Sequence, residues 1–238
     1  MTAVSEPPAP VRSRRTAWPV LVRDALLPVA MQAVLYTAVG VVNASRAMHD
    51  ETLLLLEQAW FGTPWRTWAV QWPIAWVSLL LHGCYLAYYL VLTVPYARLL
   101  WRGERHAWRA TVRAHLVTLC VGCALYLLWP VEGPRYRAPI EATVLPDIGH
   151  RFTNWMLATF SARGTAFPSS HVSLALTQLL MAWRYQRTLA YAMVPVLVGI
   201  GAGAVYGGYH YVIDVLAGAV LGVVCVAATT WWTRDRRR

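Results

Sequence analysis

The chain has 238 residues, 58% of them hydrophobic and 13% charged, with a mean hydropathy of +0.42, where an ordinary soluble domain carries roughly 25% charged residues. That composition excludes a water-soluble core and points to lipid. The net charge of +10 rests on arginine alone, and its placement in short tracts between long apolar runs argues for membrane topology and against a nucleic-acid partner.

Residues 1–18 are rich in Pro, Ser and Arg, lack an apolar run and read as a disordered cytoplasmic tail. Six apolar runs then approach the length of about 20 residues that a bilayer requires: 25–42, 73–100, 114–129, 172–183, 190–206 and 212–232. The first is long for a signal sequence and lacks a good cleavage context. After it, Leu53, Leu54, Leu55, Leu56, Trp60 and Phe61 stand beside Asp50, Glu51 and Glu57, the pattern of a helix lying at the membrane interface or of a folded surface loop. The expected fold is all-α: a membrane bundle of six transmembrane helices, with an interfacial helix between the first two, forming one domain over residues 19–238.

Arginine collects in the tail, after the second run (Arg98, Arg102, Arg105, Arg109, Arg113), after the fourth (Arg184, Arg187) and at the C-terminus. The positive-inside rule then predicts both termini in the cytoplasm of a bacterial-type plasma membrane. Loops 43–72, 130–171 and 207–210 are expected on the extracytoplasmic side. Cys84, Cys120, Cys123 and Cys225 all lie in apolar runs and read as packing residues.

The chemistry-bearing residues fall in those outer loops. Gly133-Pro134-Arg135-Tyr136 follows the third run, and its arginine offers a guanidinium fork for phosphate oxygens. Arg137 and Arg163 share that loop and read as headgroup anchors or further cations. Pro168-Ser169-Ser170-His171 has the pattern of a helix start, whose free N–H groups favour an anion. Asp214 is a lone carboxylate at the head of the last run, four residues after His210, so the two share a helix face and Asp214 can orient the imidazole.

In this order these segments resemble the type 2 phosphatidic acid phosphatase superfamily, whose pattern is K-x6-R-P, P-S-G-H and S-R-x5-H-x3-D. The resemblance runs from about Trp72 onward. It implies that His210 attacks phosphorus, Asp214 orients it, and His171 protonates the leaving oxygen and then activates the acceptor. Ser169, Ser170 and Arg135 would hold the phosphate of a lipid substrate in the membrane, with no metal and no cofactor. Two family cations are replaced here, by Leu128 and Ala204. A site with fewer cations suits a phosphodiester, so the chain looks most like the inositol phosphorylceramide synthase branch, which transfers headgroups. The alternatives are a polyprenyl (pyro)phosphate or phosphatidic acid phosphatase, a vanadium haloperoxidase, a metal site on the same three residues, and a proton-coupled transporter.

Overall fold

The computed structural model describes residues 18–62, 68–69, 71–137 and 147–235. Residues 1–17 of the expected tail lie outside these, and Trp18 already belongs to the first helix. The order is α1 (Trp18–Asn43), α2 (Asp50–Phe61), α3 (Ala75–Leu86), α4 (Tyr88–Trp101), α5 (Arg105–Leu128), a single turn at Pro134–Arg137, α6 (Ile148–Phe160), α7 (Ser170–Tyr185), α8 (Arg187–Tyr206) and α9 (Val212–Asp235). The fold is helical, with one isolated bridge between Val131 and Thr165 among the described residues.

Among the described residues four helices are long and apolar enough to cross a membrane: α1, α5, α8 and the Val212–Trp232 part of α9. A fifth such unit is α3 with α4, which the apolar run 73–100 suggests as one straight span but which bends by 42° at Ala87. The remaining expected span corresponds to α7, which has 16 residues. Its buried Ser173, Thr177 and Gln178 lower its hydropathy, and they have protein partners: Thr177 meets Thr118 at 3.0 Å and Gln178 meets His115 at 3.4 Å. A helix enclosed by α4, α5, α8 and α9 has no need to be apolar all round.

The expected loop 130–171 holds a helix of its own, α6, capped by Asp147, whose carboxylate accepts the His150 N–H at 3.1 Å. α2 is also a helix, with Leu55 and Trp60 exposed and Asp50, Leu53 and Glu57 buried along the opposite face.

Two glycine pairs four residues apart set the closest helix approaches. On α8, a Cβ at Gly199 would lie 2.6 Å from Cys84 Sγ and one at Gly203 would lie 2.4 Å from the Leu81 carbonyl of α3. On α9, a Cβ at Gly218 would lie 2.5 Å from the Ser169 carbonyl and one at Gly222 would lie 2.8 Å from the Ser173 carbonyl of α7. Small residues at this spacing let helix backbones meet where lipid supplies no hydrophobic drive between helices.

Gly218→Ala is therefore expected to destabilise the protein by about 1–3 kcal/mol, because a backbone carbonyl cannot retreat as a side chain can. Gly83→Ala in α3, where a Cβ would meet nothing within 4 Å, is expected to leave the midpoint unchanged or raise it. Thermal unfolding of the two variants in detergent compares them directly, and equal midpoints would contradict the assigned contact.

Candidate active site

The three segments that carry chemistry converge because their backbones are bonded to one another. The Ser169 N–H donates to the Asp214 carbonyl at 2.9 Å, joining the start of α7 to the first turn of α9 at the point where Gly218 permits contact. The Ala166 N–H donates to the Val131 carbonyl at 2.9 Å, which brings in the loop after α5. There Gly133 adopts φ +86, and a Cβ would press on the Tyr209 carbonyl at 3.0 Å.

α2 supplies the remaining anchors. Its Glu57 accepts the backbone N–H groups of Val212 and Ile213 at 2.9 and 3.1 Å, capping α9 from outside that helix. Asp50 accepts those of Glu132 and Gly133 at 3.0 and 2.8 Å. Both carboxylates are essentially inaccessible, at 0% and 1% exposure, and burial raises the Glu57 carboxyl above the usual carboxylate range against the lowering effect of its two N–H donors.

His171 and His210 meet with ring centroids 5.9 Å apart, at 62°. His210 Nδ1 faces Asp214 Oδ2 at 3.4 Å, and the same oxygen accepts the Tyr211 N–H at 2.9 Å. Asp214 is fully buried and its Oδ1 has no hydrogen-bond partner among the described residues. With Nδ1 turned to the carboxylate, His210 Nε2 is left as the free lone pair.

His171, half-buried at the first turn of α7, packs against two tyrosines on either side of the α3–α4 bend. Tyr85 stacks on it at 4.5 Å and 22°, and Tyr88 lies 4.4 Å away at 45°. The Tyr85 hydroxyl reaches His171 Nδ1 at 3.4 Å, while the Tyr88 hydroxyl is engaged by Gln32 at 2.7 Å.

The expected phosphate ligands are divided. Ser169 is buried, and its Oγ has no partner among the described residues. The buried Ser170 hydroxyl lies against the Tyr36 and Tyr126 phenols, inside the bundle. Arg135 Nη2 reaches the Asn154 carbonyl at 3.5 Å, and its positive charge bears on the phenols of Tyr85, which stacks on His171, and of Tyr209 behind it. Arg163, one of the two arginines considered as a replacement cation, is bound to Glu132 at 2.7 Å and to the Ala44 carbonyl at 2.6 Å. Arg137 lies in the short turn after α5. Ala204 is fully buried in an aromatic cluster with Tyr85 and Tyr209.

A second polar cluster escaped the sequence reading. Ser78 donates to Asp147 Oδ2 at 2.6 Å, and His82 Nδ1 donates to the Ser78 carbonyl at 2.7 Å. That assignment leaves His82 Nε2 to accept from His150 Nδ1 at 3.4 Å, and His150 Nε2 to accept from the Asn154 amide at 2.7 Å. Both imidazoles are thereby satisfied in the neutral form, and they fasten α6 to α3 beside Tyr209. Among the described residues no three His, Cys, Asp or Glu side chains converge as a metal site requires.

The family model of the PAP2 superfamily matches residues 51–228, a stretch that includes all of α2 but Asp50, together with His171, His210 and Asp214. No curated protein and no solved structure matches the chain.

Burial in the α6 cluster, together with the neighbouring His82, lowers the His150 imidazole from near 6.5 to about 4 against the opposing pull of Asp147. A base lowered in the folded state holds fewer protons there than in the opened state, so docking of α6 weakens as pH falls. Asp147 acts in the same direction at lower pH: burial raises it, but the Ser78 hydroxyl and the His150 N–H bring it below its usual value. Hydrogen-exchange protection of residues 148–160 is expected to be flat above about pH 7 and to fall by up to about tenfold per pH unit below 6.5. Protection that rises on acidification would contradict this assignment.

Proposed function

The chain belongs to the PAP2 superfamily, and on that premise we propose that it is a membrane phosphotransferase acting on lipid phosphodiesters through a phosphohistidine. Superfamily membership makes it a phosphatase-type enzyme in general. The observation that carries the finer reading is the meeting of His171 with the Asp214-held His210 beside a tyrosine cluster that holds Ala204, where the family pattern has a cation.

In this mechanism His210 Nε2 attacks phosphorus and the bond to the leaving alkoxide breaks, with protonated His171 delivering its proton to that oxygen. His171, now neutral, takes the proton of an acceptor hydroxyl or water whose oxygen attacks the phosphohistidine, and His210 leaves unchanged. Asp214 keeps Nδ1 of His210 protonated and stabilises the charge that grows on the ring.

The substrate class follows from charge. A phosphate monoester brings a second negative charge that needs additional donors, each charge-assisted bond contributing about 1.5–3 kcal/mol. Arg163 is spent on Glu132, Leu128 is exposed at the end of α5, and Ala204 is packed against Tyr85 and Tyr209, leaving Arg135 as the guanidinium beside the tyrosines. A singly charged diester fits that provision. On the same reading α7 completes six spans, α2 lies at the outer interface with Leu55 and Trp60 toward lipid, and the site opens on the extracytoplasmic side.

Reconstituted protein given phospholipids radiolabelled in the phosphate is expected to move a labelled phosphoalcohol to an acceptor lipid. Rapid release of inorganic phosphate from phosphatidic acid without headgroup transfer would overturn the diester assignment. His210→Ala should abolish turnover and leave no acid-labile phosphoprotein. His171→Ala should instead slow both formation and breakdown of the phosphohistidine, so that the two variants differ in whether label is trapped on the protein.

Tyr85 acts here as a positioning residue, its hydroxyl holding His171 Nδ1 so that Nε2 faces the substrate. Tyr85→Phe is expected to lower kcat about five- to tenfold, the worth of one neutral hydrogen bond, with KM unchanged and the pH profile displaced. Tyr88→Phe keeps the ring packing and loses a hydroxyl that serves Gln32, so its kcat should stay within about twofold of wild type. Equal effects of the two substitutions would remove the role given to Tyr85.

A further inference from the structure

At the end of the bundle away from His171 and His210, α1 and α4 enclose an apolar groove of about 490 Å³. Arg98, on its wall, lies ten residues beyond Tyr88 on the same helix, about 15 Å along the axis at 1.5 Å per residue. Val22, Leu26 and Val94 line the groove and are exposed, as side chains that face lipid are. Trp18 and Trp101 close one end edge to face, with centroids 6.0 Å apart, the place where aromatic rings meet headgroups.

Two guanidiniums, Arg98 and Arg102, border this apolar space. The nearby carboxylates neutralise them only in part: Asp24 is taken by Arg23 and Arg105 at 2.8 and 3.2 Å, and Glu104 pairs with Arg102 at 3.8 Å. Arg98 has no carboxylate partner among the described residues. A half-buried cation in that setting calls for an anion that brings its own apolar body.

We propose that this groove binds an anionic phospholipid, with an acyl chain between α1 and α4 and its phosphate on Arg98 and Arg102. Basic pockets between membrane helices favour such headgroups, and a volume of this size lies in the ordinary range for a ligand site. Other occupants fit the charges less well. Residues 1–17 carry Arg12, Arg14 and Arg15 against the single acid Glu6, so they would add positive charge. A second copy related by a twofold axis would set the same guanidiniums against each other.

The test uses the full chain in nanodiscs of phosphatidylcholine with phosphatidylglycerol, followed by native mass spectrometry of the lipid retained. Wild type is expected to retain phosphatidylglycerol in excess, and R98Q/R102Q to lose that excess by at least about tenfold. Ala97→Trp, which fills the groove without changing a charge, should lower it as well, whereas Arg151→Gln on α6 should not. The proposal is overturned if retention ignores headgroup charge, if Arg151→Gln matches the double variant, or if folded R98Q/R102Q retains the lipid as wild type does. Removal of residues 1–17 that raises retention, or loss of a dimer in the Ala97→Trp variant, would assign the groove to the tail or to a second copy and equally overturn it.

Discussion

A carboxylate taken out of water must find donors in the protein, and where the buried carboxylates find theirs determines how the site loops sit. Asp50 and Glu57 project from the same face of α2, seven residues apart, or about 10.5 Å along a helix. One holds the loop after α5 by the N–H groups of Glu132 and Gly133; the other holds the start of α9 by those of Val212 and Ile213. α2 is thus a rigid brace that sets the distance between the Arg135 turn and the His210–Asp214 turn. Its apolar outer face and its acidic inner face are parts of one device: a helix at the site's rim whose buried side is spent on backbone.

The same constraint explains the split in the chain's charge. Arginine tracts gather at one end of the bundle, while at the His171–His210 end the polar cluster between α3 and α6 is paired internally and Ser169 Oγ and Asp214 Oδ1 have no partner among the described residues. The His82–His150–Asn154 chain uses each ring nitrogen once, in neutral tautomers, so it adds rigidity without adding charge. What borders His171 is aromatic: Tyr85, Tyr88 and, behind Tyr85, Tyr209. The Tyr85–Tyr209 cluster also contains Ala204, the position where an arginine would be expected from the family pattern, so an alanine packed between aromatic rings stands where a cation would.

Much of the site was legible because its spacing is local. His210 stands two residues ahead of α9 instead of on it as the spacing suggests, yet four residues still bring its Nδ1 to 3.4 Å from Asp214, and Pro168 with two serines marks the start of α7 whatever the tertiary fold. The glycine pairs at 199 and 203 and at 218 and 222 were legible too, since small residues four apart in an apolar run mark a helix contact, yet they went unread. The bend at Ala87 has no such signal: Pro28, Pro95 and Pro195 lie inside helices, and no proline or glycine stands at the break itself. α6 was hidden because its apolar side chains, including Ile148 and Trp155, are exposed, while the face that docks it carries Gly149, His150 and Thr153. The part played by Glu57 could not have been read locally, since its partners are 155 and 156 residues away.

Tyr85 and Tyr88 stand on either side of that bend, three residues apart as neighbours on a helix face are, and both rings lie against the one imidazole of His171. His210 is held from the other direction, by Asp214 on α9 and through Glu57 on α2. The two supports meet where Tyr85 packs on Tyr209 at 5.0 Å, and the contact of α7 with α9, at Ser169 over Gly218, adds a further constraint on the 5.9 Å between the rings. A carbonyl packed on a glycine leaves little freedom in that contact. The spacing of the two histidines therefore depends in part on a residue with no functional group, since a methyl group added at Gly218 would press on the Ser169 carbonyl two residues before His171 without touching either ring.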